Sequence, residues 1–177
     1  MLKYAGRVMH PRPASIIISR SRSGNVNGCA VAWFTPVNVD PFIFAASMSP
    51  RRLTYSYIKE SGEVTLNIIP FKMVEAVHHV GSFSGRSVAD KLTKFGFELE
   101  PSLKVSVPHI KGVPAYIEGL LRSELQFSDH SLMIFDGVHV HVDDKYFKDN
   151  IFNEEAEILL HVGGNVYTKP SEYVKID

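Results

Sequence analysis

Asn27-Gly-Cys-Ala-Val-Ala-Trp-Phe-Thr-Pro36 is the stretch whose reading decides the architecture. It starts as a strand carrying the small residues Gly28, Ala30 and Ala32, and it ends in bulky aromatics and a hydroxyl. Small side chains let another molecule approach the backbone, so that exposed N–H groups can donate to it. Thr35 precedes a proline and is therefore held extended, which turns its hydroxyl sideways. Proline cannot donate to a ladder, so the strand is expected to stop at Pro36. By itself the segment reads better as a buried strand with a turn.

Its neighbours make it part of a β-rich domain. Ala14–Ser19 is apolar and β-branched, which suits a strand. Gly24 and Asn25 mark a turn, so Val26–Phe34 returns antiparallel. Phe42–Ser47 reads as a third strand. Leu53, Tyr57 and Ile58 form one stripe of a helix over Leu53–Lys59, with Gly62 as its stop. Glu63–Ile69 alternates as a strand, and Met73, Val77 and Val80 share one face of a helix over Lys72–Val80. Val88–Phe95 is expected to form another short helix. Tyr116–Leu125 and His130–Val142 read as long strands flanking a turn at Ser128–Asp129. Six strands and three short helices, mostly consecutive and closely connected, favour an antiparallel barrel or sandwich over a parallel sheet.

The 177 residues fit one domain spanning 1–177, large enough for a real core. Lys plus Arg and Asp plus Glu are both 19, a balance that argues against a nucleic-acid binder. The charges are uneven nonetheless. No acid precedes Asp40, whereas Lys3, Arg7, Arg12, Arg20 and Arg22 are basic, and the tail from Asp143 onward is acidic. One cysteine, Cys29, excludes an internal disulfide and any cysteine-built metal cage. No apolar run approaches the ~20 residues of a membrane span, and no secretory signal is visible, so a cytoplasmic protein is expected.

Several common chemistries are missing. There is no glycine-rich dinucleotide fingerprint, no P-loop and no nucleophile elbow. His139 and His141 share a strand face but lack a third ligand, and His78 and His79 are adjacent on a helix and cannot face one ion together. No metal site is expected.

Two further segments point to an anion. After the strand ending at Ser47-Met48-Ser49, Arg51, Arg52 and Thr54 stand at a helix start. Hydroxyls, guanidinium groups and helix N-terminal amides together match a phosphate monoester. Gly81-Ser-Phe-Ser-Gly-Arg-Ser-Val-Ala-Asp-Lys91 adds Ser84, Arg86 and Lys91. Each segment alone is an ordinary loop, but together they suggest parts of one pocket.

With these pieces in order, the chain resembles the flavin reductase-like family, the FMN-binding split barrels that include flavoredoxins and archaeal ferric reductases. The matching motifs are Arg12-Pro13, Asn27–Pro36, Ser47–Pro50, Thr54, Asn67-Ile68, Ser84–Arg86 with Asp90-Lys91, and His161 with Gly163-Gly164 and Tyr167. The resemblance implies a mainly β fold with short helices, an antiparallel split β-barrel, and a homodimer binding FMN near its interface. It assigns the FMN ring to the backbone amides of Ala30, Val31, Ala32, Trp33, Phe34 and Thr35 and to the Thr35 hydroxyl, and it counts Asn27 among the cofactor-binding residues. Ser47, Met48 and Ser49 come near the ring or ribityl chain. Arg51 and Thr54 take the phosphate, with contacts added by Ser84, Arg86 and Lys91. His161 and Tyr167 reach the flavin face or complete the partner's site. Cys29 either tunes the flavin or serves as a small buried hydrophobe, and Asn67 is also readable as a structural residue after its strand.

The implied activity is hydride transfer from NAD(P)H to flavin N5 and onward transfer to an acceptor that the sequence does not identify. It needs no catalytic acid or base from the protein. A non-enzymatic FMN electron carrier of the flavoredoxin type is the alternative.

Overall fold

Three consecutive isoleucines, Ile16, Ile17 and Ile18, are completely shielded from solvent, so the strand that carries them must be covered on both faces. In the computed structural model, which describes residues 2–176, it is. Ile17 joins a cluster with Phe44, Ile58, Leu66, Met133 and Phe135, while Ile16 and Ile18 join another with Val80, Leu92, Ile110 and Leu159. Alternation along a strand distributes the three side chains in this way, and coverage of both faces explains the unbroken apolar run.

After a 3-10 segment at Leu2–Met9, the strands are β1 (Arg12–Pro13), β2 (Ser15–Arg20), β3 (Val26–Val31), β4 (Phe34–Asn38), β5 (Ile43–Met48) and β6 (Glu63–Ile68). They continue as β7 (Leu99–Glu100), β8 (His109–Ile110), β9 (Ala115–Gln126), β10 (Ser131–Val142), β11 (Phe147–Lys148), β12 (Ile151–Phe152), β13 (Leu160–Gly163) and β14 (Val166–Thr168). The helices are α1 (Leu53–Ser61), α2 (Val74–Ser82) and α3 (Lys91–Lys94). Among the described residues, no helix is long and apolar enough to cross a membrane.

Seven strands build one antiparallel sheet in the order β3-β2-β6-β9-β10-β5-β4. Its two edges, β3 and β4, are joined in the chain by Ala32 and Trp33 alone. The sheet must therefore curl until its edges approach each other. The Ser47 N–H of β5 donates to the Trp33 carbonyl at 2.8 Å, which carries the β4–β5 pairing one residue into this connection. No ladder joins β3 to β4, so the sheet is mainly β and strongly curled but not closed into a barrel. That open seam positions the site.

Two expectations about elements change. Pro36 does not end its strand: it lies inside β4, paired with Phe44 just before a register shift. β4 is a sheet edge, where a missing N–H deprives no neighbour. The segment expected as one strand over Val26–Phe34 accordingly breaks at Ala32-Trp33, and the main sheet has seven strands rather than six. The helix expected over Val88–Phe95 shrinks to Lys91–Lys94, because Asp90 before it adopts a left-handed backbone with φ 48°. Helix α1 ends as expected on Gly62, at φ 73°, whose N–H donates to the Ile58 carbonyl.

Two buried polar side chains hold outlying segments to the sheet. The Glu118 carboxylate is fully buried and accepts the N–H groups of Leu103, Lys104 and Val105 at 2.9, 2.6 and 2.9 Å. Asn67 lies within β6, donates to the Ile16 carbonyl and accepts the Ile110 N–H at 2.8 Å. The small sheet β1-β13-β14 sets Arg12 opposite His161, and His161 opposite Tyr167.

Candidate functional site

A chamber of about 670 Å³ opens at the seam. Strand β3 and the connection to β4 supply Cys29 through Trp33, and the end of β5 supplies Ser47, Met48 and Ser49. Helix α2 adds Val77, His78 and Gly81, and the small sheet adds His161 and Tyr167. A second pocket of about 320 Å³ is lined by Asn27, Arg51, Thr54, Ser84, Gly85 and Lys91. Cys29, Ser49 and Arg52 border both spaces, so they form one bent site. Each volume falls in the range of about 300–1,000 Å³ usual for small-molecule sites.

The polar pocket is built around the start of α1. Arg52 occupies the N-cap position with extended backbone and makes no side-chain capping bond. The first-turn N–H groups of α1 therefore have no cap from their own chain and face an anion favourably. Arg52 also reaches across the site, its Nη1 donating to the Gly81 carbonyl of α2 at 3.3 Å. Below it, buried Asn27 donates its Nδ2–H to Thr54 Oγ1 at 2.7 Å. Gly85 closes over this pair, since a Cβ there would collide with the Asn27 side-chain oxygen. Tight backbone approach of this kind requires glycine.

Lys91 is buried, and its ammonium donates to the carbonyls of Val80 at 2.7 Å and Phe83 at 2.8 Å. It thus ties the end of α2 to α3 and places positive charge behind the pocket. Burial lowers its pKa from the ordinary lysine value. Beside it, burial pushes the Cys29 thiol up, which favours a neutral thiol at the junction. In the chamber, Trp33 is 40% exposed, and its ring lies 5.1 Å from that of His130. The Tyr167 hydroxyl and His78 Nδ1 are 3.2 Å apart, while His10 Nδ1 bonds the His161 carbonyl at 2.8 Å.

The structure brings most of the sequence-predicted residues together. Ala30, Val31, Ala32, Trp33, Ser47, Met48, Ser49, His161 and Tyr167 line the chamber; Asn27, Ser49, Arg51, Thr54, Ser84 and Lys91 line the polar pocket. Three others line neither space. Phe34 packs against the inner apolar cluster. Thr35 is exposed and its hydroxyl donates to the Pro36 carbonyl at 3.2 Å. Arg86 is exposed and donates through Nη2 to Ser56 Oγ at 3.2 Å.

His10, His78 and His130 line the site but were not singled out for it. Arg52, read from the sequence beside Arg51 at the helix start suited to an anion, borders both spaces, and Gly81 of the Gly81–Lys91 segment lines the chamber. His78 precedes Gly81 by three residues on α2, one helical turn, so the two share a face. His10 and His130 come from loops and carried no signal.

Among the described residues, no group of three histidine, cysteine or acidic side chains is placed to hold a metal. His139 and His141 instead flank Tyr116, which stacks on His109 at 3.8 Å.

Residues 6–169 match the family described as the flavin reductase like domain. The fold is similar to that of an FMN-binding protein from Thermus thermophilus with bound 1-cyclohex-2-enone, at 26% identity and TM-score 0.85, covering 96% of this chain and 92% of that one. It is similar to the 2-nitrobenzoate 2-nitroreductase of Pseudomonas fluorescens, at 21% identity and TM-score 0.85, covering 100% and 90%. A flavoredoxin from Methanosarcina acetivorans aligns at 21% identity and TM-score 0.84, covering 95% and 89%. The last two likenesses concern the fold.

Proposed function

The chain belongs to the flavin reductase-like domain family, and from that premise we propose that it binds FMN and acts as an oxidoreductase, taking hydride from NADH or NADPH and passing electrons to an acceptor. The observation that carries this reading is the junction of the two spaces at Cys29, Ser49 and Arg52. A planar ring system suits the broad chamber with its small residues and aromatics. A phosphate monoester suits the hydroxyls, arginines and uncapped amides of the pocket. FMN joins those two chemistries through a flexible chain, so the residues present fit it.

When bound, the flavin supplies reversible hydride acceptance at N5. The chain's own residues bind and orient. Arg51, Arg52, Thr54 and Ser84 hold the phosphate, with Asn27 fixing the Thr54 hydroxyl. The backbone of Ala30 to Trp33 borders the ring, and its amides are the groups that would offset negative charge there. Lys91 contributes through charge and by holding the end of α2. A nicotinamide must stack with its donor carbon about 3–3.5 Å from the acceptor nitrogen, so the reading requires one face of the ring to stay open to the chamber. A homodimer in the cytoplasm, with FMN near the interface, belongs to the same proposal; light scattering on the loaded protein tests the dimer.

Stopped-flow mixing of the FMN-loaded protein with NADH and with NADPH tests the activity. The reductase reading expects one of them to bleach the bound flavin faster than free FMN is reduced. Equal rates would contradict it and leave an electron carrier.

A further inference from the structure

Behind the chamber, a groove on the outer surface is lined by Val74, Glu75, His78, His79, Asn165 and Tyr167. His78 and Tyr167 also line the chamber, so they form the partition between it and the groove. The Tyr167 hydroxyl and His78 Nδ1 lie 3.2 Å apart with their rings nearly perpendicular, at 88°. Both side chains are half-buried.

We propose that Tyr167 and His78 are the proton inlet for the acceptor reduced in the chamber, and that the Tyr167 hydroxyl recognises an acceptor oxygen that gains negative charge on reduction, such as that of a conjugated carbonyl. The inference rests on the flavin reading and names the acceptor side of that same site. An acceptor that receives two electrons and one hydrogen as hydride from reduced FMN becomes an anion and is completed by one proton. The Tyr167 O–H bond breaks as the new bond to hydrogen forms on the acceptor. His78 Nδ1–H then gives its proton to the Tyr167 oxygen while His78 Nε2 takes one from water in the groove, where Glu75 and His79 also face; hydroxide leaves to solvent, and proton exchange with groove water returns the imidazole to its Nδ1–H form. Burial raises the Tyr167 pKa, which keeps the hydroxyl protonated at neutral pH. Tyr167 is the catalytic residue here, and His78 is a positioning residue that acts through it.

p-Nitrophenol tests the inference, because its colour reports its own ionisation. FMN binding is measured first, by quenching of flavin fluorescence in each protein; failure of the wild type to bind FMN overturns the flavin reading itself. In FMN-loaded wild type, bound nitrophenol is expected to ionise about one pH unit lower than in water, since a donated hydrogen bond favours the anion. Tyr167→Phe should still bind FMN, abolish the shift and weaken nitrophenol at least tenfold. His78→Ala should reduce the shift, and His78→Asn, whose amide can still donate to the Tyr167 oxygen, should restore it. An unchanged shift in Tyr167→Phe, or no nitrophenol binding by FMN-loaded wild type, overturns the proposal. So does loss of FMN from Tyr167→Phe, which would make the tyrosine a flavin contact. An unchanged shift in His78→Ala removes His78 from the inlet.

Discussion

Arg52 and Arg51 are neighbours in sequence with different places in the site. Arg52 borders both chamber and pocket and reaches the Gly81 carbonyl, while Arg51 borders the pocket alone. Charge-assisted hydrogen bonds contribute about 1.5–3 kcal/mol, or about 10- to 100-fold in affinity. Arg52→Ala and Arg51→Ala should each weaken FMN by that order and weaken riboflavin, which lacks the phosphate, far less. Arg86→Ala should leave FMN affinity nearly unchanged, because its guanidinium faces Ser56 outside the pocket. Isothermal titration of both ligands checks all three. At this scale the sequence showed residue types and order well: hydroxyls and arginines at a helix start speak for an anion wherever they fall. It did not show direction. Thr35 and Phe34 lie next to Trp33 in the chain, yet both leave the site, because β4 begins there and alternation sends its side chains to the inner core or to solvent.

At the scale of elements, polar anchors between segments should govern stability. Glu118→Ala would strip three backbone N–H groups of their shared acceptor and should cost about 3 kcal/mol or more in urea unfolding. Glu118→Gln, which keeps an acceptor oxygen, should cost less. Lys59 of α1 bonds Glu124 of β9 at 2.7 Å, and the Tyr55 hydroxyl donates to the same carboxylate. The Lys59 ammonium leads in holding the Glu124 pKa down, from 4.5 to about 2. A depressed carboxylate pKa stabilises the fold above the unfolded value, and that stabilisation fades as pH falls toward the folded value. Glu124→Gln should therefore narrow its stability gap to the wild type between about pH 5 and pH 2. Lys59 is half-exposed, which limits the effect to roughly 1 kcal/mol. Helix α1 and its Gly62 stop were legible because periodicity and a C-terminal glycine agree. The break at Ala32-Trp33 was not, since only the sheet order reveals that Pro36 lies on an edge.

For the whole molecule, the open seam between β3 and β4 links fold to function. A closed ladder would occupy the backbone groups of this region with their neighbours; the gap leaves the end of β3, Ala32 and Trp33 bordering a chamber instead. Consecutive short strands made an antiparallel curled sheet readable from sequence, whereas its failure to close follows from long-range pairing that local patterns do not carry. A ligand seated in the seam binds only the folded state and should stabilise it, by about 2.7 kcal/mol at a hundredfold excess over Kd. The central claim, that this seam holds FMN, is tested most directly by incubating the ligand-free protein with FMN, desalting it and recording its visible absorbance and circular dichroism. One FMN retained per chain, with an induced visible dichroism band and a raised Tm, is the predicted result. A colourless protein with an unshifted Tm would contradict it.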